Sequence, residues 1–480
     1  MLIVFAAAIV GVLVEAFASV RARRVAGLLV ALSGLLGAFV FVVNLAGERD
    51  ILARGAVAID GPALFLQGVI LALAATSLLV MAERPHDDES PTAARALRPV
   101  HTEAFPLAMF SVGGMMLFVS ANNLIVMFIA LEVLSLPLYL LCGLARRRRL
   151  ISQESALKYF LLGAFSSAFF LYGIALLYGY AGSVSLSDLA GATAVPTSNE
   201  ALLYAGFALL AVGLLFKAGA APFHFWTPDV YQGAPTGVTA LMAACTKVAA
   251  FGAILRVMLV PFYSIRADWR VSMAAVAILT MVVGAVIAVT QTDVKRMLAY
   301  SSVAHAGFIL TGVAASNREG LKGSMFYLAA YGFTVIGGFA VVTLVRDAGG
   351  EATHLSRWQG LGKRSPAVAG LFAFFLFALA GIPLTSGFTG KFAVFQAAID
   401  GGATYLVIIG VVTSAIAAFF YARVVVLMFF QEPATDGPTV VSPPALTSAA
   451  LALSVVATIV LGVYPSILLD VAASADQFIR

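Results

Sequence analysis

The sequence predicts an all-α polytopic membrane protein with about fourteen transmembrane helices. Three observations predict it. The 480-residue chain is 61% hydrophobic and only 11% charged, whereas a soluble globular protein carries roughly 25% charged residues. Apolar runs of the length that crosses a bilayer, about 20 residues, follow one another along the whole chain. Lys and Arg gather mostly in short loops between those runs, where they orient helices in the bilayer. Together with a mean hydropathy of +0.99, these features leave too little polar surface for a water-soluble fold.

The apolar runs predict spans in order. The first four are Met1–Phe17, Ala26–Leu45, Pro62–Met81 and Phe105–Ser120. Next come Leu124–Ala145, Ala156–Tyr180, Ala201–Ala221 and Thr236–Leu259. The last six are Val271–Val289, Val294–Ala314, Leu321–Val345, Ala367–Thr385 (continuing towards Ala398), Tyr405–Phe430 and Ala445–Tyr464. The first run is followed, not preceded, by Arg21, Arg23 and Arg24. A signal peptide has the reverse order, so the run reads as a first spanning helix.

Alternating sides from the amino terminus places sixteen Lys and Arg on one face: Arg21, Arg23, Arg24, Arg84, Arg95, Arg98, the run Arg146 to Arg149, Lys295, Arg296, Arg346, Arg357, Lys363 and Arg364. The other face holds eight: Arg49, Arg54, Arg256, Arg266, Arg270, Arg318, Lys322 and Arg480. The richer face is expected to be cytoplasmic, with both termini outside. The Arg146–Arg149 run reads first as a topology anchor and second as a lipid or partner patch. The net charge of +5 has no phosphate-reading motif beside it, so no nucleic-acid partner is expected. Cys142 and Cys245 lie inside apolar runs, which argues against a disulfide framework or an iron–sulfur cluster. Among the polar stretches, the one from Arg346 to Ser365 is long enough for a short surface helix.

Spans seven and twelve are expected to be discontinuous. Pro222 follows Lys217 by five residues in Leu214–Trp226; lacking an amide hydrogen, it breaks or kinks the helix. Gly381, Pro383, Gly387 and Gly390 interrupt the twelfth span just before Lys391. Two broken spans, five apart and each with a lysine at its break, look like matching places in an inverted repeat. Spans four to eight and nine to thirteen would be its units. The division is 1–104 for helices one to three, 105–260 and 270–430 for the repeats, and 431–480 for helix fourteen. The alternative is a pair of kinks whose lysines snorkel to the interface.

An ionisable side chain at the bilayer centre costs at least ~2.5–3.5 kcal/mol on the insertion scale, so it normally faces a cavity or a partner. Glu132, Lys217, Lys247, Lys391 and His305 all fall inside spans. Glu132 and Lys217 are natural partners: a pair that separates lets the lysine give up a proton, while a permanent pair only holds helices together. Lys247, without a carboxylate nearby in sequence, can accept and pass protons. His305 reads equally as a relay member and as a hydrogen-bonded structural histidine, and His224, beside the first break, reads as a channel residue or an interface one. No Gly-rich phosphate loop, clustered Cys or paired His for a haem occurs. Proton movement through the bilayer is the chemistry that these residues support.

At Phe216–Pro235, Phe-Lys-Ala-Gly-Ala-Ala-Pro-Phe-His-Phe-Trp-Thr-Pro-Asp-Val-Tyr-Gln-Gly-Ala-Pro, the sequence resembles the antiporter-like membrane subunits of respiratory complex I, the bacterial NADH–quinone oxidoreductase. Further matches are Ala130–Pro137, Ala156–Ala164, Asp293–Gly307 and the Gly381–Lys391 break; the first hundred residues match only as apolar spans. Within the family the subunit N branch fits best. Subunit M-like sequences have Leu-Pro-Asp-Ala in place of Trp226–Gln232 and a Glu in place of Lys391, and subunit L carries a long carboxy-terminal lateral helix after the fourteenth span. The resemblance implies a proton-translocating, non-redox subunit in a bacterial inner membrane, driven by quinone reduction elsewhere. NADH, FMN, iron–sulfur clusters and quinone would belong to partner subunits, with subunits M and K and the lateral helix of L as neighbours. It assigns Lys217 as the gated carrier paired with Glu132, Lys247 as the next relay, and Lys391 as the group nearest the periplasmic exit. Asp229 and His224 would help to shape the half-channel. The alternative is a subunit of a monovalent cation/proton antiporter of the same fold.

Overall fold

The computed structural model describes residues 1–82, 102–145, 149–195, 200–347, 350–433 and 437–479. The chain opens with α1 (Leu2–Phe17) and α2 (Val20–Asn44), then a hairpin of β1 (Asp50–Leu52) and β2 (Val57–Ile59). The first large helical unit follows: α3 (Gly61–Met81), α4 (Ala104–Ser120), α5 (Leu124–Cys142), α6 (Arg149–Ala181) and the short α7 (Leu186–Thr193). Then come α8 (Glu200–Ala218), α9 (Trp226–Gly233) and α10 (Thr236–Leu241), which runs through a π-helical turn (Met242–Thr246) into α11 (Lys247–Leu259).

The second half begins with α12 (Arg266–Thr290), α13 (Val294–Ala315) and α14 (Arg318–Val342). Two short strands, β3 (Val345–Asp347) and β4 (Gly350–Glu351), a 3₁₀ turn (Leu355–Trp358) and α15 (Leu361–Arg364) fill the polar stretch that follows. The chain then passes through α16 (Pro366–Ala380), α17 (Ser386–Asp400) and α18 (Thr404–Phe430). It ends in β5 (Thr439–Val440), which pairs antiparallel with β3, then α19 (Ala445–Val463) and α20 (Ser466–Ser474).

Among the described residues eleven helices are long and apolar enough to cross a membrane. Three shorter apolar ones, α1, α4 and α16, lie where the sequence also predicts spans. Helices α11, α13 and α14 are buried almost throughout, while α2, α6, α18 and α19 leave much of their surface open. The interior therefore lies where the two halves meet. Arg84, Arg95, Arg98, Arg146 to Arg148, Arg480 and the Arg149 side chain, all counted in the orientation argument, lie outside the described residues. Both cysteines are free and buried.

Helix starts are set by short polar side chains, which accept the first free amide hydrogens. Asn123 accepts from Ile125 and Val126 at the head of α5, and Asp293 from Lys295 and Arg296 at the head of α13. The two starts match further. Leu124 donates to the Val184 carbonyl (2.9 Å) and Val294 to that of Thr353 (2.7 Å), each closing an isolated bridge to the loop beyond the next long helix.

One expectation is corrected. Arg256 was counted with the outer loops because it sits near the end of an apolar run, yet it is fully buried. Its guanidinium grips Asp60 with two bonds of 2.9 and 2.7 Å, and its Nε donates to the Val119 carbonyl at 2.9 Å. Asp60 also caps α3 through Ala63 and accepts from Ile479. A buried bidentate pair with every oxygen occupied holds three helices and the carboxy-terminal tail together. Removing one partner strands a charge and costs about 3–5 kcal/mol. Arg256→Met alone should therefore lower the thermal unfolding temperature in detergent sharply, and the double variant Asp60→Leu/Arg256→Met should recover much of that loss.

Candidate functional site

Two helix interruptions organise the interior, and both are closed in the same way. At the end of α8, Gly219 takes φ +71; its amide bonds Phe216 and the next amide, of Ala220, bonds Leu215. At the end of α16, Gly381 takes φ +88, bonding Ala378, while Ile382 bonds Phe377. This is the paired cap that a left-handed glycine makes possible. After Gly219 the chain turns through a cis Ala221–Pro222 bond before α9. The Thr280 hydroxyl, from α12, accepts from the Ala221 amide at 3.0 Å, and Trp226 Nε1 donates to the Phe216 carbonyl at 2.9 Å. The freed backbone groups thus find partners inside the protein, as a break at membrane depth requires.

Lys217 lies on the last turn of α8 and is 4% exposed. Its ammonium donates to Ser135 Oγ at 2.7 Å and Tyr159 Oη at 3.4 Å, between the rings of Tyr139 and Tyr159. The expected contact with Glu132 is not made. Glu132 is half-buried and accepts instead from Ser167 of α6. Residues three apart share a helix face, so Ser135 meets Lys217 from the same side of α5 while the longer Glu132 leans towards α6. No ion pair among the described residues joins Lys217, Lys247 or Lys391 to a carboxylate.

Lys247 opens α11 directly after the π-helical turn. Its ammonium donates to the Ser302 carbonyl at 3.0 Å and to that of Ala218, the last residue of α8, at 3.2 Å. Lys391 lies in the second turn of α17 and reaches back across its own break. It donates to the Ala380 carbonyl at 2.7 Å, Leu379 at 3.2 Å and Ser414 Oγ at 2.8 Å. The two lysines named from the breaks are therefore not at matching positions, since Lys217 precedes its break and Lys391 follows its own. The matching feature is an ammonium on the carbonyl end of each first half-helix, supplied by Lys247 and Lys391. That end carries the negative pole of the helix dipole, which favours a cation.

His305 is buried and shares a 2.8 Å hydrogen bond between its Nδ1 and Tyr327 Oη, packed on Tyr331 and Phe308. It lies twelve residues after the Asp293 cap, as Ser135 lies twelve after Asn123. His305 thus stands in the second half where Lys217's partner stands in the first. His224 is buried against Phe225 and Tyr300, and its Nδ1 has no hydrogen-bond partner. Asp229, on α9, bonds Lys158 at 2.7 Å and Arg296 at 2.6 Å, locking α6, α9 and α13.

A small cavity joins Lys217 to Lys247, with Trp226, Thr227, Tyr231 and Thr246 in its wall. Sequence reasoning missed Ser135, Tyr159, Tyr327, Ser414 and both threonines. Only Ser135 carried a signal, its three-residue spacing from Glu132.

Residues 121–417 match the family model described as NADH:quinone oxidoreductase/Mrp antiporter, TM. A relative named NADH-quinone oxidoreductase subunit N, from Rhodococcus opacus (strain B4), is 61% identical over 514 aligned positions, covering 100% of this chain and 95% of its own. Among solved structures, a chain of respiratory complex I from Thermus thermophilus with bound aureothin is 33% identical, with a TM-score of 0.81 over 98% of this chain and 99% of that one. A chain of the Mrp complex from Dietzia sp. DQ12-45-1b has the same TM-score at 24% identity, over 99% of this chain and 96% of its own, and shares the fold. With its whole length aligned to such relatives, the chain belongs to the NADH-quinone oxidoreductase subunit N branch of that membrane family.

Proposed function

We propose that this chain carries protons across the bacterial cell membrane as the N subunit of an NADH–quinone oxidoreductase, driven by quinone reduction in other subunits. The observation that carries the reading is the set of three buried ammoniums, Lys217, Lys247 and Lys391, each held only by neutral oxygens. An ammonium on carbonyl and hydroxyl oxygens can lose its proton without leaving a carboxylate stranded in a low-dielectric interior. The order along the path is Glu132, Lys217, Lys247, His305, Lys391. The cavity links the first two lysines, and Lys247 and His305 share the Tyr331 ring. Lys391 and His305 both pack on Phe308.

Lys217 works as the gate. Turned to Glu132 it keeps its proton; held by Ser135 and Tyr159, with Glu132 occupied by Ser167, it passes the proton towards Lys247. The chain is an integral membrane protein and part of a multi-subunit complex. Our fuller reading has fourteen crossings, two inverted five-helix repeats, both termini on the periplasmic side, and subunits M and K and the lateral helix of L as neighbours. NADH, FMN, iron–sulfur clusters and quinone are assigned to the partners. The shared Mrp fold supports a second reading, a cation/proton antiporter, which predicts sodium- or potassium-dependent proton exchange without an electron donor.

In membrane vesicles fed with NADH, at equal content of assembled complex, Lys217→Ala should abolish proton pumping and quinone-linked turnover together. Unchanged pumping would sink the relay. Lys247→Arg and Lys391→Arg keep the charge but not a proton that can leave, so pumping should fall about a hundredfold or more, the least expected of a lost proton-transfer group. His305→Gln separates the two readings of that residue. An amide can still bond Tyr327 but carries no proton, so a relay member loses pumping while a structural histidine keeps it.

A further inference from the structure

The cavity between Lys217 and Lys247 has two buried hydroxyls with no partner. Thr227 Oγ1, from α9, and Thr246 Oγ1, from the π-helical turn, are in residues each 2% exposed, and both line the cavity. Buried polar side chains are nearly always hydrogen-bonded, so two orphans on one cavity point to a shared partner. The space suits about one water molecule, which needs two to four polar partners. Two hydroxyls, the Lys217 ammonium and the Lys247 amino group supply them.

The backbone explains how Thr246 gets there. Consecutive residues of a regular α-helix point about 100° apart, so adjacent side chains rarely face one small space. Here Thr246 and Lys247 both do, at the point where the π-helical turn Met242–Thr246 ends. Such turns insert one extra residue into a helix and occur often at functional sites.

We infer that Thr246 and Thr227 are positioning residues that hold one water between Lys217 and Lys247, with the π-helical turn aiming Thr246 at it. The inference rests on the relay reading above. The water accepts a proton from Lys217 as it donates one to Lys247, so one N–H bond breaks, another forms, and the water is unchanged. The threonines neither gain nor lose a proton; they fix the geometry of the transfer.

The test uses the whole assembled complex in membrane vesicles. Thr246→Val removes the hydroxyl at nearly constant shape, and Thr246→Ser restores it. Valine should lower NADH-driven pumping several-fold and enlarge the rate loss in D₂O, because proton transfer becomes limiting; serine should bring both back to near wild type. Should Thr246→Val not assemble, Thr227→Val removes the hydroxyl on the opposite wall and is read in the same way. Lys217→Ala and Lys247→Ala are run in parallel. Wild-type pumping and an unchanged D₂O effect in the valine variants, with both lysine variants inactive, would overturn this inference and leave the relay standing. Lysine variants that pump normally would overturn the relay itself.

Discussion

A break in a membrane helix is permitted only where protein or enclosed water takes up the backbone groups that the break sets free. The backbone around both breaks answers to that requirement. Gly219 and Gly381 close most of the debt with their left-handed caps. Thr280, Trp226, Lys247 and Lys391 take up groups that remain. The lysines are thus part of the architecture as well as of the chemistry. Each stands at a carbonyl-rich helix end that would be unsatisfied without a donor, and a neutral amine still donates.

The starts of α5 and α13 match, as do the caps of α8 and α16, with different residues at corresponding places. Glu132 and Ser302 lie equally far past their caps, as do Ser135 and His305. The first unit places its acid at a half-exposed edge. The second offers a backbone carbonyl to Lys247 and an imidazole bonded to Tyr327. Corresponding places therefore present an acid and a hydroxyl in one half and a carbonyl and an imidazole in the other.

Much of this was legible in the sequence because lipid is a strict solvent. Charges inside apolar runs are so unfavourable that Lys217, Lys247, Lys391 and His305 stood out at once, and Pro222 and Gly381 marked the breaks. The less legible part falls into two kinds. Arg256 misled because a residue near the end of an apolar run reads as a loop residue, whereas Asp60, almost two hundred positions away, makes its burial tolerable. Ser135, Thr227 and Thr246 were hidden because hydroxyl residues are common in spans and usually bond their own helix. The π-helical turn has no compositional mark. The contact of Glu132 with Ser167 rather than Lys217 depends on which way a side chain leans, which spacing does not decide.

Lys217 and Lys247 line one small space together with Thr227 and Thr246, so a substitution at either lysine alters the surroundings of the other. Residues coupled through a shared cavity do not respond independently to substitution. The effects of replacing the two lysines should therefore fail to add, and the double variant measures the couple and not two separate groups.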